Sequence, residues 1–95
     1  MHQKRSRASR FPLGRTVMTR GALIELLHAD VQTGLSRHIC GDWGDVCDDD
    51  KQANDDALKF GDRLLSAYHT AGGRKFWIIT EADRSATTVL LPEEY

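Results

Sequence analysis

A chain of 95 residues has room for one domain with one modest hydrophobic core, because so short a chain buries only about two thirds of the surface it exposes when unfolded. Hydrophobic residues make up 40% of the chain and charged residues 28%, and the mean hydropathy is −0.48. No apolar run approaches the roughly 20 residues that cross a bilayer. We therefore expect a protein without a membrane partner. The basic N-terminus lacks the apolar stretch of a secretory signal, so we expect a cytoplasmic location, with Cys40 and Cys47 as reduced thiols.

Charge is divided unevenly along the chain. Residues 1–20 carry six basic and no acidic residues, whereas residues 21–95 carry 7 basic and 14 acidic residues, a net charge of −7. The pattern predicts a basic flexible arm over residues 1–12 and a single domain over residues 13–95. Clustered cations are typical of phosphate binding, and a solvated tail is the simpler alternative. The candidate nucleic-acid contacts in the arm are Lys4, Arg5, Arg7 and Arg10.

The first half of the domain has the spacing of helices. Thr19 is a favourable N-cap, and the apolar residues between Arg20 and Val31 recur at helical spacing, which predicts one helix with a single apolar stripe. The stripe comprises Leu23, Leu26, Leu27 and Val31. We expect Gly34 to interrupt the helical pattern and residues 35–40 to add one or two further turns.

A loop and an acidic helix follow. Residues 41–47 combine two glycines, two aspartates and Trp43, a composition typical of a structured loop. Aspartates at the start of the next helix complement its positive end, and Gly61 stands where a left-handed C-terminal cap is expected. The pattern predicts a helix from Asp49 to Phe60. Its predicted inward side chains are Ala53, Ala57, Leu58 and Phe60.

The last third of the chain changes to the spacing of strands. Residues 63–70 and 74–81 are rich in β-branched and aromatic residues, and Gly72 with Gly73 predicts a two-residue turn between them. This turn sets Tyr68 opposite Trp77, and Ala67 opposite Ile78. A turn at residues 83–85 leads into a third strand, 87–91. The fold class is α+β, with two or three helices packed on an antiparallel meander of three strands, or of four if residues 13–18 join an edge.

Four segments of the sequence resemble those of a known family. They are residues 38–45 (HICGDWGD), residues 64–70 (LLSAYHT), residues 77–85 (WIITEADRS) and residues 90–95 (LLPEEY). Together they resemble a group of small bacterial proteins labelled plasmid-related, some of which carry the label of a type I restriction methylation subunit. The resemblance runs over residues 13–95 and implies a setting of plasmids and integrative elements, without catalytic residues to carry over. A methyltransferase needs a doubly wound sheet with a glycine-rich cofactor turn, which this pattern excludes.

His38, Asp42 and Asp45 form a candidate metal site, because one imidazole and two carboxylates offer three ligands for a divalent cation. The alternative is structural: Trp43 fills the core, the aspartates accept hydrogen bonds from the loop backbone, and the cysteines are small core residues. His69 is expected on the outer side of its strand. Asp83 and Arg84 are expected to stabilise a turn through a backbone hydrogen bond and an ion pair.

The acidic segment suggests a binding surface. Eight aspartates and two lysines lie between residues 42 and 62, a net charge of −6 that resembles the phosphate charge of DNA. The alternative is a solvated helix face. The predicted partner-binding residues are Asp42, Trp43, Asp45, Asp48, Asp49, Asp50, Asp55 and Asp56.

Three functional hypotheses follow. The first is a non-enzymatic protein-interaction module of a mobile genetic element, accessory or anti-defence in role, whose partner is a basic nucleic-acid-binding protein. The second is a small metal-dependent nuclease or hydrolase using His38, Asp42 and Asp45. The third is a nucleic-acid binder acting through the arm. No catalytic residue and no cofactor is assigned, and a homodimer stays open because a strand at a sheet edge can pair with its copy.

Overall fold

Three helices and a mixed four-stranded sheet make up residues 8–95, the part of the chain that the computed structural model describes. The predicted α+β class is confirmed. The elements are β1 (Arg15–Met18), α1 (Arg20–Glu25), α2 (His28–Ile39), α3 (Asp48–Phe60), β2 (Leu64–His69), β3 (Lys75–Thr80), β4 (Ala86–Leu90) and a closing 3-10 turn (Pro92–Glu94).

The strand order across the sheet is β1-β4-β3-β2. Strands β2, β3 and β4 form the predicted antiparallel meander. The fourth strand, β1, joins the free edge of β4 in parallel, so the expectation of a purely antiparallel sheet is wrong. Two backbone hydrogen bonds flank the β1–β4 pair, from Arg15 N to Ser85 O and from Thr19 N to Val89 O, each 3.0 Å long.

The register of the β2–β3 hairpin differs by one residue from the prediction. The amide of Thr70 donates to the carbonyl oxygen of Arg74 at 2.8 Å, which leaves three residues in the loop and not two. A one-residue shift exchanges the faces of the sheet for one strand relative to the other. Tyr68 therefore lies opposite Phe76, and Ala67 opposite Trp77.

The helix predicted from Arg20 to Val31 is two helices. The Thr19 hydroxyl accepts from Ala22 N, which confirms the N-cap, but α1 already ends at Glu25 and Leu26 is extended. Because of this break, the four residues of the predicted apolar stripe do not share one face. Leu26 and Val31 are buried, whereas Leu23 and Leu27 are 68% and 71% exposed.

Gly34 lies inside α2 and does not interrupt it. A Cβ atom at this position would lie 3.0 Å from the ring of Phe76 and 3.2 Å from Ile78 Cδ1. The missing side chain therefore lets α2 pack close to the sheet. Gly34 serves close packing of the helix and not a break in it.

The helices pack on one face of the sheet. The main core cluster joins Ala22 and Leu26 from the α1 region to Val31 and Leu35 of α2 and to one side of β2, β3 and β4. A second cluster brings Phe11, Trp43, Ala57 and Leu64 together.

Part of the predicted arm belongs to the folded domain. Residues 1–7, with Lys4, Arg5 and Arg7, lie outside the described residues. The amide of Arg10 donates to Ile39 O at 2.8 Å, and Phe11 is only 7% exposed. The Phe11 ring stacks on Trp43 at a centroid distance of 6.3 Å, so it closes the second core cluster.

Candidate functional site

The loop between α2 and α3 is fixed against the edge of β2. The amide of Ala67 donates to Trp43 O at 3.1 Å, and the amide of Asp45 donates to Ala67 O at 2.7 Å. Gly44, with φ of +76°, lies between these two bonds, where the chain comes close to β2. The loop therefore extends the sheet by a short parallel bridge and is not a mobile segment on the surface.

Trp43 is a structural residue of this loop and is not available to a partner. Its side chain is 4% exposed, and its indole Nε1 donates to Asp55 Oδ1 of α3 at 3.0 Å. The predicted role of Trp43 in partner binding is therefore replaced by a role in joining the loop to α3.

His38 is fully buried in a chain of hydroxyl groups. Its Nδ1 lies 2.6 Å from Ser66 Oγ and its Nε2 lies 2.9 Å from Thr80 Oγ1. Thr80 continues to the hydroxyl of Thr87, at 2.7 Å, which donates to Leu13 O. Burial, with a smaller contribution from the charge of Arg84, lowers the pKa of His38 to about 4. The histidine is neutral at pH 7, with both ring nitrogens engaged.

The structure does not assemble the predicted metal site. Asp42 accepts two hydrogen bonds from the guanidinium of Arg37, at 2.7 and 3.1 Å, and Asp45 is an exposed residue 3.9 Å from His69 Nδ1. Over residues 8–95, no group of three or more histidine, cysteine or acidic side chains is placed to hold a metal ion. The His38 imidazole is occupied by hydroxyl partners, which leaves it no lone pair for a cation.

The two cysteines are not joined by a disulfide. Cys40 is half-buried at the end of α2, and Cys47 is exposed at the N-cap position of α3. The expectation that both are small core residues is wrong for Cys47.

The acidic helix α3 exposes most of its surface. Asp48, Asp49, Asp50, Asp55 and Asp56 are all exposed. Helical spacing places Asp49, Ala53, Asp56 and Phe60 on one face, with two carboxylates and an aromatic ring on the solvent side. Phe60 is 75% exposed, so its predicted inward orientation is wrong. The inward positions are Asn54 and Ala57, with Leu58 half-buried and Ala53 exposed.

Asn54 is a residue of α3 whose role the sequence pattern did not reveal. It is 5% exposed, and its amide group donates to Leu65 O at 2.7 Å and accepts from Leu65 N at 3.1 Å. A lone asparagine on the inner face of a polar helix was the available signal. It marks the place where α3 satisfies backbone groups of β2.

The turn at residues 83–85 is present, and the predicted backbone bond is confirmed, since Asp83 Oδ1 accepts from Ser85 N at 3.0 Å. The expected ion pair of Arg84 is wrong. Its guanidinium donates to four backbone carbonyls within 3.2 Å, so it stabilises the turn and the end of α3 together. These carbonyls belong to Ala57, Asp62, Glu81 and Ala82.

No helix among residues 8–95 is long and apolar enough to span a membrane. Comparison of the chain with protein-family models, with curated proteins and with solved structures finds no match. The function is therefore inferred from the geometry and charge of the molecule.

Proposed function

We propose that this chain is a non-enzymatic protein-interaction module that binds a basic protein through one face of α3. The observation that carries the proposal is the exposure of Phe60 on the face that also holds Asp56, one turn before it, and Asp49, about three turns before it. An aromatic residue set among charges is typical of the anchor of a protein interface, where a few aromatic or arginine residues supply most of the binding energy.

The carboxylates contribute to the rate of association with the partner and to its specificity. α3 carries five aspartates against Lys51 and Lys59, and a surface of one sign steers an oppositely charged partner towards it. In this proposal Asp49 and Asp56 orient the partner and Phe60 is buried on contact. Asp48, Asp50 and Asp55 flank this face. Asp45 extends the acidic surface along the loop, whereas the charge of Asp42 is paired with Arg37.

The loop supports the proposal by holding α3 in a fixed position. The bond from Trp43 to Asp55 and the two backbone bonds to Ala67 connect the helix to the sheet. A surface that is already ordered loses less conformational entropy on binding. The biological setting that we propose is an accessory or anti-defence protein of a mobile element, whose partner is a basic nucleic-acid-binding protein.

The proposal is tested by capture of partners from the native cell on immobilised protein. We expect a specific basic protein to bind, and Asp49→Lys with Asp56→Lys, or Phe60→Ala alone, to abolish its capture. Glu25→Lys on α1, an exposed charge reversal outside α3, is the matched control and should leave capture unchanged. Equal capture by all variants would refute the proposal.

A second proposal, nucleic-acid binding by the basic arm, is supported by charge alone. Its candidate residues are Lys4, Arg5, Arg7 and Arg10, of which only Arg10 lies among the described residues. Replacing the first three by alanine should then remove salt-sensitive binding to duplex DNA.

A further inference from the structure

Among residues 8–95, one face of the sheet carries no α-helix, and we call it the open sheet face. Residues opposite one another in the register share a face, and the helices contact the side that holds Tyr68, Phe76 and Val89. The other side is the open sheet face. Its strand residues are Leu65, Ala67 and His69 of β2, Lys75, Trp77 and Ile79 of β3, Ala86, Thr88 and Leu90 of β4, and Arg15 and Val17 of β1.

Two aromatic rings lie on this face. Trp77 and Tyr95 make an edge-to-face contact with centroids 5.6 Å apart. Arg63 holds Tyr95 in place, because its guanidinium donates to the phenol oxygen at 3.1 Å and lies 5.5 Å from the ring centroid. Ile79 and Leu90 are 3% and 5% exposed although no α-helix in the described part of the chain covers them. The rings therefore act as the cover of the sheet, and Tyr95 itself remains 67% exposed.

The charges on this face differ from those on the rest of the domain. Arg15, Arg63 and Lys75 are exposed along the open sheet face. Its acidic neighbours are Glu81, which follows β3 on the same side, and Asp45, which lies 3.9 Å from His69. Residues 21–95 as a whole carry a net charge of −7. Cations around one exposed and one half-buried aromatic ring, in an acidic domain, complement a polyanion that also has planar groups.

We propose that the open sheet face binds single-stranded nucleic acid. Trp77 and Tyr95 stack on unpaired bases, and Arg15, Arg63 and Lys75 contact phosphates. Four strands span about 15 Å, which gives room for roughly two or three bases. A duplex cannot stack on these rings, because its bases are stacked on one another and present only their edges in the grooves.

This surface is separate from α3, so the binding proposed here and capture of a protein by α3 can fail independently. The probes are fluorescein-labelled 15-mers of dT and of rU, measured by anisotropy with the full chain at low salt. The background is Lys4→Ala, Arg5→Ala, Arg7→Ala, which removes the contribution of the arm. We expect saturable binding in this background, accompanied by quenching of tryptophan fluorescence.

Tyr95→Ala should weaken binding roughly 5- to 150-fold, the range expected when one base no longer stacks on an aromatic ring. Lys75→Glu should weaken binding. It should also reduce the magnitude of the slope of log association constant against log salt concentration, by about 0.7 for each phosphate that is no longer neutralised. Lys59→Glu on α3 changes charge equally and should leave both values unchanged. Absence of binding in the arm background, preference for a duplex, or equal effects of Lys59→Glu and Lys75→Glu would each overturn the proposal.

Discussion

The Nε2 atom of His38 lies 2.9 Å from the Oγ1 atom of Thr80, a residue 42 positions away in the chain. Both residues are fully buried, and the contact joins α2 to the last residue of β3, a central strand of the sheet. A buried polar group costs free energy unless it is paired, so this contact fixes how the helix sits on the strands. The histidine that looked like a metal ligand is an internal connector.

The protonation of His38 should make stability depend on pH. Burial lowers its folded-state pKa from 6.5 to about 4, so between these values the unfolded chain binds the proton and the folded chain does not. Stability is then fully present above pH 6.5 and is lost as pH falls towards 4. Between pH 7 and pH 5 we expect a loss of about 2 kcal/mol from this residue alone. Urea unfolding at several pH values measures it.

Two histidine variants identify the origin of that loss. His38→Gln should lower stability at pH 7 and remove most of the pH dependence above pH 5, because no group at position 38 titrates. His69→Gln should retain it, since His69 is an exposed residue. An unchanged slope in the first variant would assign the pH dependence elsewhere.

Gly44 and Gly61 share a φ of +76° but differ in surroundings, which makes them a matched pair. A Cβ atom on Gly44 would lie 2.1 Å from Ala67 O, whereas nothing lies within 4 Å of one on Gly61. Gly61→Ala should cost about 1 kcal/mol, from the left-handed backbone alone. Gly44→Ala should cost about 3–5 kcal/mol, because it also breaks the two bonds to β2. Equal losses in urea unfolding would show that the bridge contributes nothing.

Local signals in the sequence were sufficient for several elements. Thr19 caps its helix and Gly61 ends another, as predicted, because both effects depend on one or two neighbouring residues. The strands were found from their β-branched and aromatic composition. The turn at Asp83 was also found, since an aspartate bonds the backbone two residues later.

Features set by tertiary contacts were not predictable in this way. The break at Leu26 has no local signal, since helical spacing continues through it, and the Leu26 side chain at the break is buried in the core. The hairpin register depended on whether its loop has two or three residues, and glycine composition fits both. His38 bonds Ser66 and Thr80 across 28 and 42 residues, which no local pattern reveals. The exposed acids of α3 were correctly placed on the surface, but the anchor beside them, Phe60, was assigned to the core.

Asn54→Ala should be strongly destabilising for a polar residue on a helix. The substitution leaves both backbone groups of Leu65 without their partner in a half-buried position, at a cost of about 2–4 kcal/mol. Gln52→Ala removes only an exposed bond to Asp56, so it should change stability by less than about 0.5 kcal/mol. Thermal unfolding of the two variants compares them directly, and similar melting temperatures would contradict the assigned role of Asn54.

Phe60→Ala separates the interface interpretation of Phe60 from a core interpretation. The ring is 75% exposed, so its removal should change the free energy of unfolding by no more than about 0.5 kcal/mol. Leu64→Ala, at a fully buried apolar position four residues later, should cost about 2–5 kcal/mol. Urea unfolding gives both values. A large loss in the first variant would place the ring in the core, and it would remove the apolar anchor on which the proposed α3 interface depends.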